Sequence, residues 1–128
     1  MGTSPTYVET AKVWQQQILT GNTNRDGATG TYGTIVTAGS GGSRLTGGRI
    51  EGVGTVTAGM IRLFVSDGTN TRLYDERPVT ATTPSGTVPG WQDDFSFPES
   101  FTLQSGWSLK ASTNNAETFN VFAYGGDI

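Results

Sequence analysis

The run Met60-Ile61-Arg62-Leu63-Phe64-Val65, followed by Asp67-Gly68-Thr69-Asn70 and then Arg72-Leu73-Tyr74, decides the fold class. The first segment is the most apolar stretch of the chain and is rich in residues that suit a pleated surface. Asp-Gly-Thr-Asn supplies a glycine free to take positive φ, between side chains that hydrogen-bond their own backbone. The two runs therefore read as strands of an antiparallel hairpin.

Working outward, strand signals recur about every ten to fifteen residues. Arg44 to Val53 carries Leu45, Ile50 and Val53, with Gly47-Gly48 suggesting a bulge. Pro78 marks an edge or a strand end, and Thr83 to Gly90 is a Pro-stiffened loop. Trp91 to Phe97 alternates Phe95 and Phe97. After Pro98-Glu99-Ser100 the pattern resumes at Phe101-Thr102-Leu103, and Gln104-Ser105-Gly106 turns the chain into Trp107, Leu109 and Ala111. Asn114-Asn115 is another turn, and Phe119 to Tyr124 closes the domain.

About eight strands in antiparallel order predict an all-β fold, a single antiparallel β-sandwich of jelly-roll or immunoglobulin-like type. Residues 1–11 are expected to be an extended N-terminal arm, and 12–128 the sandwich domain. The expected core is Leu63, Val65, Phe95, Phe97, Trp107, Leu109, Phe119 and Val121. Residues 7–19 carry two signals. Thr6 and Glu9 form a capping box, and Tyr7, Ala11, Trp14 and Ile18 fall at helical spacing. Against that helix, Trp14 to Thr20 runs straight into the turn cluster Asn22-Thr-Asn-Arg-Asp-Gly27, and Tyr32 to Thr37 resumes β-branched character. This favours a hairpin.

Composition narrows the function. The 128 residues contain 19 Gly and 21 Thr, which favour short strands and tight loops over helices. There is no cysteine, hence no disulfide framework and no thiolate ligand for zinc, and no histidine, the usual base near neutral pH. A net charge of −3 with scattered acids lacks the footprint of a nucleic-acid binder. The N-terminus shows no basic-then-apolar signal, and no apolar run is long enough to span a membrane, so a soluble cytosolic product, or one released by lysis, is expected.

Three motifs resemble functional sites. Asn22 to Gly27 matches the opening of an EF-hand loop, but Gly33 stands at the twelfth position, where a bidentate carboxylate is required; an Asn/Asp-rich turn is the better account, and no metal or other cofactor is expected. Asp93, Asp94, Glu99 and Glu117 are candidates for a carboxylate pair, yet Asp93 and Asp94 are adjacent on a strand and point to opposite faces. The run Gly39-Ser-Gly-Gly-Ser43 lacks the lysine and helix of a phosphate loop. With no nucleophile or base constellation, the chain reads as non-enzymatic. The aromatic side chains weigh differently: Trp107 is expected in the core, whereas Trp14 and Trp91 are balanced between core and interface.

The string Arg62-Leu63-Phe64, Asp67 to Asn70, Pro78 to Ala81 and Thr83 to Thr87, continued by Ser105 to Thr113, Ala116 to Val121 and Gly125-Gly126-Asp127, resembles small virion structural proteins of tailed bacteriophages and prophages. The resemblance spans Leu19 to Asp127. It implies a particle component without saying which; among small, cysteine-free β-sandwiches of phages the capsid decoration or cement role is the commonest fit, with the protein made in the host cytoplasm and seated on the outer capsid surface. The implied partners are the major capsid protein and the protein itself, as a homotrimer or a dimer, with no nucleic acid or membrane. The expected contacts with coat or neighbour are Thr6, Tyr7 and Val8 of the arm, with Trp14 and Trp91. A tail, baseplate or fibre component, or a carbohydrate-binding module, are the alternative readings.

Overall fold

The computed structural model describes Val8 and residues 10–128. These form nine strands and no helix: β1 (Thr10–Ile18), β2 (Gly33–Thr37), β3 (Ser43–Gly52), β4 (Gly59–Ser66), β5 (Thr71–Val79), β6 (Gln92–Ser96), β7 (Thr102–Leu103), β8 (Ser108–Thr113) and β9 (Phe119–Asp127). They build two antiparallel sheets in a sandwich-like arrangement. One has the order β1-β9-β3-β6, with β7 pairing the start of β3; the other is β2-β8-β4-β5.

Alternation fills the space between the sheets. Ile18, Leu45, Ile50, Phe95, Phe119, Val121 and Ala123 come from the first sheet, and Ile35, Val36, Ile61, Leu63, Leu109 and Ala111 from the second. Each such aliphatic or aromatic side chain removed from water contributes about 1.5–3 kcal/mol. Six of the eight expected core residues are buried; Val65 and Trp107 are half-buried at the margin.

The Met60–Tyr74 hairpin forms as expected, with the Asp67 N–H donating to the Asn70 carbonyl and Gly68 at φ 96°. Its second strand runs on to Val79 and is the outer strand of its sheet, where Pro78 costs no ladder hydrogen bond. The segment at 14–37 requires a correction. Residues 10–18 are a strand rather than a helix, but β1 and β2 do not form a hairpin: β1 pairs β9, and β2 pairs β8 in the other sheet. Residues 19–32 cross between the sheets, which lets Ile18 sit on Phe119 in the core while Val36 lies beside Leu109. Within the segment expected to be an arm, Thr10 and Ala11 already open β1, opposite Asp127 and Gly126.

That crossing loop explains why β4 is buried on both faces. Ile61 and Leu63 face the core; Arg62 and Phe64 face outward yet are buried. Tyr32 packs edge-on against Phe64, with ring centroids 4.8 Å apart. Glu76 on β5 accepts from the Arg62 Nε at 3.0 Å and from Arg25 of the loop at 2.7 and 3.1 Å, so one carboxylate ties the loop to the sheet. Arg25 and Arg62 together hold the Glu76 carboxyl below the usual range. On the far side of the sandwich, Arg77 of β5 reaches Asp93 of β6 at 2.6 Å, an ion pair that spans the open edge between the sheets.

The Gly47-Gly48 pair sits beside a register shift between Leu45 and Gly47 in the β3–β9 ladder, the bulge that the sequence suggests. A Cβ at Gly48 would run into the Phe122 carbonyl oxygen and the Phe95 ring, whereas one at Gly54 meets nothing within 4 Å. Gly48→Ala is therefore expected to destabilise by about 1–3 kcal/mol, as overpacking does, and Gly54→Ala to stay within about 0.5 kcal/mol of the parent. Urea unfolding of the two variants checks this; equal effects would contradict the close packing of β3 on β9.

Candidate interaction surface

β1 is the outer strand of its sheet and runs in unbroken antiparallel register with β9 from Thr10↔Asp127 to Ile18↔Phe119. Alternation sends Trp14, Gln16 and Ile18 toward the other sheet, beside the buried Ala123, Val121 and Phe119. Val13, Gln15 and Gln17 take the outward face, beside Tyr124, Phe122 and Asn120. The Gln17 amide donates to Asn120 Oδ1 at 2.9 Å, and Lys12 pairs with Asp127. Val13 is 66 % exposed and Tyr124 39 %, and Leu19, just past the strand, is 53 % exposed. Between β1 and β2 lies a cleft of about 250 Å³ lined by Gln16, Ile18, Leu19, Tyr32 and Gly33 among others.

Of the expected contact residues, Thr6 and Tyr7 lie outside the described residues. Val8 is half-buried against Gly126 of β9. Trp14 is half-buried on β1. Trp91 precedes β6, half-buried, with its ring edge-on to Phe119 at 5.9 Å and its carbonyl accepting from the Gly52 N–H. β9 and β3 stand between the strands of Trp14 and Trp91, a separation of about 14 Å at ordinary strand spacing. Val8 and Trp14 thus share one edge of the sheet, and Trp91 belongs to the other. Sequence reasoning missed Val13 and Leu19; the signal was present in the uncharged run Val13 to Leu19, but its exposure depends on which strand ends the sheet.

The carboxylates are spread apart. Asp93 pairs with Arg77 and Asp94 with Arg49 on the opposite face of β6; Glu117 accepts from the Thr57 N–H and hydroxyl at the β8–β9 connection. Glu99 lines a shallow opening near Arg44 at the other end of the sandwich. Among the described residues no three His, Cys, Asp or Glu side chains gather as a metal-binding group. The Gly39–Ser43 turn closes on a carboxylate: the Ser43 hydroxyl donates to Asp127 Oδ1 at 2.6 Å and accepts from the Gly39 N–H.

The EF-hand-like stretch spends its oxygens on itself. Asn22 is buried; its amide donates to the Thr29 and Thr31 carbonyls, and its Oδ1 accepts from the Asn24 N–H. Asp26 accepts from the Ala28 and Thr29 N–H groups and the Thr29 hydroxyl. A third feature is a small cavity of about 170 Å³ where Trp107 stands beside Val65, Asp67, Asn70 and Arg72.

Comparison with protein-family models, with curated proteins and with solved structures finds no match.

The hydrogen bonds at Asp26, the Ala28 N–H foremost, lower its pKa from 3.8 to about 2. A carboxylate whose pKa is lower in the folded than in the unfolded chain stabilises the fold in full above the ordinary range. That contribution disappears as pH falls toward 2. Asp26→Ala is expected to lower Tm at pH 7 and to lower it by much less at pH 2. Thermal melts at both values check this, and equal losses would contradict the role of the ionised form.

Proposed function

We propose that this protein is a non-enzymatic structural component of a tailed-phage virion, a capsid decoration (cement) protein. In this reading it is made in the host cytoplasm, docks on the outer surface of the head, contacts the major capsid protein and its own neighbours, and engages neither nucleic acid nor membrane. The structural observation behind the proposal is the strand order. β1-β9-β3-β6 facing β2-β8-β4-β5 places the first strand beside the last and supports a jelly roll over an immunoglobulin-like sandwich. Jelly rolls recur in viral capsid and lectin domains. A fold alone does not choose a function. The choice comes from the resemblance to phage virion proteins over Leu19 to Asp127, and from a surface whose candidate acids are mostly held by cations or N–H groups while apolar side chains stand exposed on β1.

The physical advantage is linkage. A part that binds only the assembled lattice stabilises that lattice, by roughly 2.7 kcal/mol per site at a hundred times Kd. One observation favours a second reading, a carbohydrate-binding module: Trp107 with Asp67, Asn70 and Arg72 brings an indole and hydrogen-bonding groups to one cavity. That reading predicts quenching of tryptophan fluorescence by a glycan and its loss in Trp107→Ala.

The deciding experiment mixes the protein with expanded, undecorated shells and sediments them. Saturation at a fixed number of copies per coat subunit, with shells that survive more heat, is the expected result. No binding to mature shells, together with labelling of tails or baseplates, would move the protein to the tail and end the decoration reading.

A further inference from the structure

The outer strands of the two sheets are not guarded alike, and β7 is only two residues long. β5 carries Arg72, Asp75, Glu76, Arg77 and Pro78 and is offset from β4 by a register shift at Leu63/Phe64. β6 is five residues long and holds Asp93 and Asp94. β2 is equally short, with a register shift between Thr34 and Val36. Charge, proline, short length and bulges are the devices that stop sheet edges from pairing with other chains. β1 has only Lys12, near its start: it runs for nine residues with no register shift, and with no charge, proline or glycine from Val13 to Leu19. Among the described residues no strand pairs with its outer side.

That unguarded stretch has a symmetry of its own. Val13-Trp14-Gln15-Gln16-Gln17-Ile18-Leu19 reads alike in both directions, as two apolar residues, three glutamines and two apolar residues. When a second copy is laid antiparallel about a two-fold axis at Gln16, Val13 faces Leu19 of that copy, Trp14 faces Ile18, and Gln15 faces Gln17. Val13 and Leu19 are the two most exposed large apolar side chains among the described residues, and this register sets them against each other. Directly opposed apolar pairs stabilise a sheet, and a glutamine amide both donates and accepts, so the central three can pair with their own kind.

We infer that two copies of this chain join through antiparallel β1–β1 pairing centred on Gln16. One sheet then runs through both copies, β6-β3-β9-β1 continuing into its symmetry mate. The contact is isologous and uses both β1 edges, so the assembly closes at two and leaves no template for further addition. Of the trimer and the dimer that the phage resemblance implies it specifies the dimer, and it stands independently of the virion reading.

Sedimentation equilibrium of the full chain and two double variants tests the register. The parent is expected at twice the chain mass. Val13→Lys with Leu19→Lys sets lysine against lysine on both sides of the axis, and the mass should fall to that of one chain. Val13→Lys with Leu19→Glu sets lysine against glutamate at the same places and should restore the dimer. Both positions are exposed, and far-UV circular dichroism with a cooperative melt verifies that the variants fold. Because the chain has no cysteine, Gln16→Cys should oxidise to a linked dimer faster than Gln15→Cys or Gln17→Cys. A parent that stays monomeric at high concentration, a trimer mass, or a dimer indifferent to the lysine pair overturns the inference. A lysine–glutamate variant as monomeric as the lysine pair overturns the register.

Discussion

β9 is the strand on which the rest of this structure depends. Phe119–Asp127 lies between β1 and β3 and ladders with both along nearly its whole length. Its alternate residues Phe119, Val121 and Ala123 are buried, while Asp127 anchors Lys12 and the Ser43 hydroxyl. Without β9 the first sheet would lose the ladder that joins β1 to β3, and the contacts of the fold are mostly distant in sequence. Such long-range closure predicts slow, cooperative folding relative to a helical domain of equal size. It also explains the small residues around β9. Gly48 and Gly126 allow backbones and rings to approach where a Cβ would collide.

The second constraint is the loop between β1 and β2. A sheet outer face normally meets water, but here Arg62 and Phe64 are buried beneath residues 22–32, and the buried guanidinium is answered by Glu76 and by Asn114 Oδ1 at 3.2 Å. The turn's asparagines and Asp26 hold its shape from within, and Arg25 holds it to the sheet from without. What resembled a metal loop is a cover for the sheet. Satisfying its own backbone groups accounts for the residue types that gave the resemblance.

The legible parts of the sequence were those governed by local physics. The turn at Asp67–Asn70, the edge role of Pro78, the bulge at Gly47 and the opposite faces of Asp93 and Asp94 each follow from neighbours within a few residues. Partnership between strands was not legible, because alternation states which face is buried and not which strand lies alongside. That is why residues 14–37 read as a hairpin, when Ile18 and Val36 belong to different sheets. Phe64 escaped the expected core for a related reason: a side chain facing away from the core is buried only if some distant loop covers it. The same limit hid Val13 and Leu19. Their apolar character was plain, but their exposure follows from β1 ending its sheet.

A sandwich with its acids largely engaged and one long edge, uncharged from Val13 onward, is suited to holding other surfaces together. A decoration protein needs the same properties: a rigid body, a defined contact edge and tolerance of a crowded lattice. The central claim is the proposed location on the head, and a cryo-EM reconstruction of phage particles assembled in the presence of this protein tests it most directly. The account predicts two-sheet densities of this size repeated over the outer surface of the head and touching the coat. Densities confined to the tail or baseplate, or shells bare of it, would contradict it.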